Sequence, residues 1–121
     1  MTECIFCKII KKELPAEFVY ENDSVVAFHD IHPKAPVHIL IVPRAHIVSI
    51  NDLKEEHAPV IAALMLSAST VADKLGVKDG GYKLAFNVGR GGGQIVDHIH
   101  MHLLAWPADK GEEGKKEVFH L

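Results

Sequence analysis

The segment His98-Ile99-His100-Met101-His102-Leu103-Leu104 puts imidazoles at three alternate positions. In an extended strand alternate side chains share a face, so these rings would stand about 6.7 Å apart while Ile99, Met101 and Leu103 turn into a core. A surface strand more often carries Thr, Lys or Glu at such positions, and a buried structural histidine usually comes singly with its own hydrogen-bond partner. Three in a row therefore favour chemistry, either metal ligation by neutral imidazoles or an imidazole nucleophile with neighbours that orient it and handle protons. The row would span about 13 Å of strand, too far for all three rings to reach one ion at about 2.0–2.1 Å. The spacing fits a central nucleophile at His100, flanked by rings that contact the same substrate group.

Just before the histidines runs Asn87-Val88-Gly89-Arg90-Gly91-Gly92-Gly93-Gln94. No Gly-Lys-Ser/Thr follows, and Gln94 stands where a dinucleotide fingerprint would end in glycine, so neither phosphate-binding motif is present. A glycine run between strands nevertheless lets backbone N–H groups approach a phosphate, and Asn87 and Gln94 could add side-chain donors. An ordinary hairpin loop would also account for it; beside three histidines it suggests phosphoryl or nucleotidyl transfer. Near the N-terminus, Cys4 and Cys7 form a Cys-x-x-Cys. Only three residues precede Cys4, which leaves no room for the strand that a thioredoxin-type redox motif needs. The pair reads either as half of a tetrahedral zinc site or as two ordinary, partly buried thiols.

Composition narrows the partners. At 121 residues, 48% hydrophobic and 24% charged, the chain is one globular domain, with nothing that reads as a linker. A formal charge of −3 gives no basic footprint for nucleic acid. No apolar run reaches the roughly 18 residues of a membrane span, and Met1-Thr2-Glu3-Cys4 lacks the basic and apolar regions of a secretion signal. The expectation is a cytoplasmic protein with no membrane or nucleic-acid partner. Nine histidines, against two tyrosines and one tryptophan, are the outlying number.

The elements that must carry these residues follow from periodicity and punctuation. Residues 5–12 repeat apolar positions at helical spacing up to a stop at Pro15. Phe18-Val19-Tyr20 and Ser24 to Phe28 read as a hairpin around Glu21-Asn22-Asp23, so Asn22-Asp23-Ser24 is read as a turn and not as a glycosylation site. His38 to Val42 is a continuous apolar strand, predicting burial on both faces. From Pro59, Val60, Ile61, Leu64, Met65, Ala68, Val71, Ala72 and Leu75 form one stripe of a long helix that Gly76 ends. Strands over 82–88 and 98–105 follow. These elements predict an α+β fold, a five-stranded mainly antiparallel sheet with one long and one short helix, over residues 1–106, with a polar, mobile tail over 107–121.

The histidine run resembles the His-φ-His-φ-His-φ-φ signature of the histidine triad family, where φ is apolar. The similarity extends through Cys4 to Ile10, Ala27-Phe28-His29-Asp30-Ile31, Pro36 to Pro43, Asn87 and Gly92-Gly93-Gln94, and is close to the Hint branch. The resemblance implies a homodimer with a sheet extended across both subunits, each binding a purine nucleoside monophosphate such as AMP or GMP. It implies a hydrolase that cleaves purine nucleoside 5′-phosphoramidates through a nucleotidyl-histidine intermediate, without an organic cofactor. Within the family a dinucleoside polyphosphate hydrolase is the alternative, and outside enzymes, a nucleotide-binding regulatory module.

By position, His100 matches the nucleophile, His102 the residue contacting phosphate and leaving group, and His38 its support on a neighbouring strand. Gln94, Asn87 and Gly93 match the phosphate donors, and Asp30 the acceptor of the ribose hydroxyls. Ile5, Phe6, Phe28, His29 and Ile31 match the walls of the base pocket, although core packing would also explain Ile5 and Phe6. Members with the Cys-x-x-Cys bind structural zinc, and the matching ligands here are Cys4, Cys7, His46 and His98. Ile95 departs from the serine that animal Hint proteins use near the phosphate or leaving group, and the charged tail departs from their tryptophan-proline ending. His32, His57 and His120 have no assigned role.

Overall fold

A computed structural model describes residues 4–107 of the 121. The expected tail lies outside the described residues, apart from its first position. In chain order the described elements are α1 (Ile5–Ile10), β1 (Phe18–Glu21), β2 (Val25–His29), β3 (Val37–Pro43), α2 (Ala58–Lys74), β4 (Lys83–Ala85) and β5 (Met101–Ala105), with short 3-10 turns at Ile50–Asp52, Glu55–His57 and Arg90–Gly92. The five strands form one antiparallel sheet in the order β1-β2-β3-β5-β4, so the α+β expectation holds.

Burial on both faces, expected for the central strand, follows from a helix on each side. Val25, Ala27, Ile39, Ile41, Met101 and Leu103 pack with Leu64, Ala68, Val71 and Ala72 of α2. Val26, Phe28, Leu40 and Val42 pack on the opposite side with Phe6 and Ile9 of α1. The α2 stripe is narrower than the sequence suggests: Val60 is half-buried and Met65 is 47% exposed, because the turn-to-turn row through Ile61, Leu64, Ala68, Val71 and Leu75 already covers the sheet. Ser67 joins the buried face by donating its hydroxyl to the Leu64 carbonyl at 2.7 Å.

Local punctuation sets the ends. Gly76, at φ +73°, donates to the Asp73 carbonyl while Val77 donates to Ala72, the paired bonds of a Schellman stop. The same pair of bonds ends α1 earlier than Pro15 would, from Lys12 to Ile9 and from Glu13 to Lys8. There Lys12 itself takes the left-handed conformation, at φ +65°. Its ammonium lies 3.8 Å from the centre of the Phe18 ring and pairs with Glu21 at 3.0 Å, which helps to offset the cost of that backbone. Asn22 caps the hairpin turn by accepting from the amides of Ser24 and Val25.

The last two strands are shorter than the expected 82–88 and 98–105. β4 pairs only through Ala85, beyond which the chain turns into the glycine loop. β5 begins at Met101, opposite Ile41. Pro43 has no N–H with which to continue that ladder, and the Ile99 amide donates instead to the Ile47 carbonyl at 2.7 Å. His98 and His100 therefore lie in the irregular approach to the strand, although Ile99, Met101 and Leu103 are buried as alternation predicts.

Replacing Leu64 by alanine removes a fully buried side chain from the α2 face and should cost about 2–5 kcal/mol. Urea denaturation monitored by circular dichroism measures this; a loss below about 0.5 kcal/mol would contradict the packing described.

Candidate functional site

The β3–β5 register sets Leu40 against His102 and His38 against Leu104, so His38 and His102 are diagonal neighbours on one face of adjacent strands. Their rings meet, with Nε2 of His38 2.9 Å from Nδ1 of His102. The ring centres of His100 and His102 are 5.1 Å apart. Three catalytic candidates thus form one group, made continuous by the His38–His102 hydrogen bond and the edge-on contact of His100 with His102.

Backbone partners define which ring nitrogen carries each proton. The Lys34 amide donates to Nδ1 of His38 at 3.0 Å, so that nitrogen is a lone pair and the His38 proton sits on Nε2. That N–H donates to Nδ1 of His102, which leaves the His102 proton on its own Nε2. At His100 the order is reversed: Nδ1 donates to the His98 carbonyl at 2.7 Å, leaving Nε2 as a lone pair. One ring therefore offers a nucleophilic nitrogen and its neighbour offers a proton.

Burial keeps these rings uncharged. Desolvation lowers the pKa of His38 and of His100, opposed at His38 by the Asp30 carboxylate and at His100 by its bond to the His98 carbonyl. His102 is pushed down to about 4 by desolvation, with the neighbouring His100 and His38 adding to the effect. An oxygen of Asp30 lies 3.4 Å from Nε2 of His38, and its other oxygen accepts from the His32 amide at 2.8 Å. Asp30, His38 and His102 are close enough to hold an ion, but the proton between the two rings occupies the place an ion would need.

A second cluster brings together Cys4, Cys7, His46 and His98 from α1 and its cap, the loop after β3, and the approach to β5. Cys4 caps α1 by accepting from the Cys7 amide, which turns both sulfurs to the same side. The Sγ atom of Cys4 is 3.4 Å from Nδ1 of His98, that of Cys7 is 3.3 Å from Nδ1 of His46 and 3.6 Å from Nδ1 of His98, and the two Nδ1 atoms are 3.1 Å apart. A tetrahedral ion with bonds of about 2.0–2.3 Å has its donors roughly 3.3–3.8 Å from one another, so the four atoms fit a metal. His98 donates Nε2–H to the Pro43 carbonyl at 2.8 Å, which aims its Nδ1 lone pair into the cluster. Burial lowers His98 to about 4 and raises the Cys7 thiol.

The remaining expected residues divide. Phe6 and Phe28 are buried and pack edge to face at 5.7 Å, and Phe6 also lies edge-on to His100 at 5.0 Å, so both support the site from the core. His29 is half-buried at the end of β2, while Ile5, Ile31 and Ile95 are exposed, the last two at 83%. Gln94 is turned away from the role expected for its side chain. It donates to the carbonyls of Val48 and Val96 and accepts from the Gly89 amide, so its polar atoms close the loop and do not face a ligand. Asn87 donates to the Gly92 carbonyl, and its amide lies beside Gly93, which is left-handed at φ +89°. Sequence reasoning missed the clamp on this loop, a bidentate pair of Arg90 with Asp97 at 2.9 and 3.0 Å. Opposite charges seven residues apart around glycines were its one available signal.

A five-stranded antiparallel sheet that presents such rings at the start of β5 defines a histidine triad domain. The family model described as "Scavenger mRNA decapping enzyme C-term binding" matches residues 3–117. Among curated proteins, the purine nucleoside phosphoramidase of Escherichia coli K12 is 47% identical over 84% of this chain and 86% of its own, and protein HitA of Neisseria gonorrhoeae is 44% identical over 88% and 99%. Among solved structures, a HIT family hydrolase of Legionella pneumophila superposes with a TM-score of 0.82 at 44% identity, covering 90% of this chain and 100% of that one. The chain belongs to the histidine triad (HIT) family.

The His102 ring should titrate by NMR with a midpoint near 4. Because protonation is easier in the unfolded chain, at about 6.5, stability should be full above that pH and fall as pH drops through the folded value. A midpoint near 6.5, or a denaturation midpoint unchanged between pH 7 and 4.5, would show that the ring is not desolvated.

Proposed function

We propose that the protein hydrolyses purine nucleoside 5′-phosphoramidates to the nucleoside monophosphate and a free amine. The observation that carries this reading is the complementary pair of ring nitrogens, a lone pair on His100 and a proton on His102. Nε2 of His100 attacks the α-phosphorus, the phosphorus–nitrogen bond breaks, and the departing amine takes the proton from Nε2 of His102. Water then attacks the nucleotidyl-His100, gives its proton to the same nitrogen of His102, and releases the monophosphate with both rings restored. A neutral His100 is required for the first step, and its depressed pKa supports that. The phosphoramidase name of the E. coli relative points the same way.

In this reading the second side-chain N–H of Asn87 faces the phosphate oxygens and Gln94 holds the loop in shape, while the amides of Gly92 and Gln94 donate to the Gly89 carbonyl and that of Gly93 to the Arg90 carbonyl, so these three close the loop and do not meet the ligand. Asp30 retains free lone pairs for the ribose hydroxyls beyond those directed at His32 and His38. Ile5, His29 and Ile31 supply exposed or half-buried surface for a purine, and Ile95 replaces a polar contact with an apolar one beside the leaving group. Cys4, Cys7, His46 and His98 would hold structural zinc, which ties α1 to the segment that carries His100. Residues 1–106 form the catalytic domain, with 107–121 as an appended tail. The sheet has open edges at β1 and β4, and joining of two sheets at an edge would give the homodimer. No described helix is long and apolar enough to cross a membrane.

Purified protein should release AMP from an AMP phosphoramidate, and His100→Ala should lower kcat by about a thousandfold or more while AMP still binds. No AMP release, or full turnover in His100→Ala, would overturn the reading; faster cleavage of diadenosine polyphosphates would move the substrate class within the family.

Metal analysis of protein purified without added metal should find about one zinc per chain, and Cys4→Ser with Cys7→Ser should lower both zinc content and Tm. Unchanged Tm in the double variant would exclude a structural role. Native mass spectrometry at micromolar concentration should show a dimer, which a clean monomer would contradict.

A further inference from the structure

The direction of the His38–His102 proton chain is set by a group that is not a histidine. His38 could in principle carry its proton on either nitrogen, and the two choices have opposite consequences. With the proton on Nε2, His38 donates to His102, and His102 offers a proton to the substrate. With the proton on Nδ1, Nε2 of His38 becomes an acceptor, His102 turns its own Nδ1–H toward it, and the substrate meets a lone pair. A backbone amide can only donate, and the Lys34 amide points at Nδ1 of His38 at 3.0 Å. The Asp30 carboxylate oxygen, 3.4 Å from Nε2, favours the same form from the other side of the ring.

We propose that the backbone N–H of Lys34, in the turn between β2 and β3, is the positioning group that fixes the proton states of His38 and His102 and so makes His102 the proton donor of the reaction. The role belongs to the amide and not to the lysine side chain. It rests on the proposed function only for its catalytic consequence; the proton states are properties of the protein alone.

The turn residues Pro33-Lys34-Ala35-Pro36 fit this assignment. Prolines on both sides restrict the backbone, and neither flanking proline could supply the donor itself. The Asp30 amide donates to the His38 carbonyl at 3.0 Å, which closes the base of the turn that brings the Lys34 amide to Nδ1 of His38.

The test reads nitrogen protonation directly. In 15N-labelled protein at pH 7, long-range proton–nitrogen spectra should show His38 and His102 as Nε2–H forms and His100 as the Nδ1–H form. A scalar coupling should cross from the Lys34 amide nitrogen to Nδ1 of His38. Lys34→Ala keeps the amide and should keep this pattern. Lys34→Pro removes it and should bring up Nδ1–H signals at His38 and His102. It should also lower kcat for an alkylamine phosphoramidate by about tenfold or more, with KM within about threefold and little change for a p-nitrophenyl ester of AMP, whose leaving group needs no proton. Absence of the coupling in the natural sequence, His102 found as Nδ1–H, or a folded Lys34→Pro variant with unchanged proton states would each overturn the proposal. If Lys34→Pro fails to fold, the coupling and the natural protein's proton states decide alone. Absence of phosphoramidate hydrolysis with these proton states intact would instead count against the proposed function.

Discussion

The ladder between β3 and β5 ends at the pair Ile41 and Met101, before Pro43, which has no N–H with which to continue it, and the arrangement of the histidines depends on that ending. Above it, regular pairing brings His38 and His102 into hydrogen-bonding distance. Below it the chain leaves the ladder, and two carbonyls that no strand partner uses become acceptors for imidazoles. The Pro43 carbonyl takes the proton of His98, and the His98 carbonyl takes the proton of His100. One break in a sheet thus sets two neighbouring rings so that each keeps one lone pair directed at its own site.

Those two sites share a segment and have different demands. The Cys4/Cys7/His46/His98 group needs lone pairs that converge within ion-binding distance, and its donors come from parts of the chain that only the fold brings together. The group at His100 needs lone pair and proton on separate rings. Both need uncharged imidazoles at neutral pH, and burial supplies this at His98, His100 and His102. Phe6 touches His98 and His100 edge-on, so the helix that carries Cys7 also forms part of the wall behind the nucleophile.

Much of this was legible in residue types and spacing. Alternation correctly assigns Ile99, Met101 and Leu103 to the core, and the apolar run of β3 foretells burial on both faces. The Cys-x-x-Cys was readable as half of a metal site, with partners named only through family resemblance. What failed were ends and side-chain directions. The expected β5 is three residues longer than the observed strand because apolar alternation continues past the point where hydrogen bonding stops. A polar residue after glycines reads as a phosphate donor, whereas the Gln94 side-chain amide donates to the carbonyls of Val48 and Val96. Met65 fits the apolar stripe by spacing and is nevertheless exposed, because a helical wheel does not show how wide the covering sheet is.

By itself the sequence determined the element order, the antiparallel α+β class, the face on which the histidines stand and the family to which they belong, since periodicity and motif spacing are properties of the chain. Which nitrogen of each ring carries a proton was decided only by tertiary structure. That choice depends on the backbone groups of Lys34, Pro43 and His98, and a peptide N–H or C=O is the same in nearly every residue until the fold aims it at a particular ring.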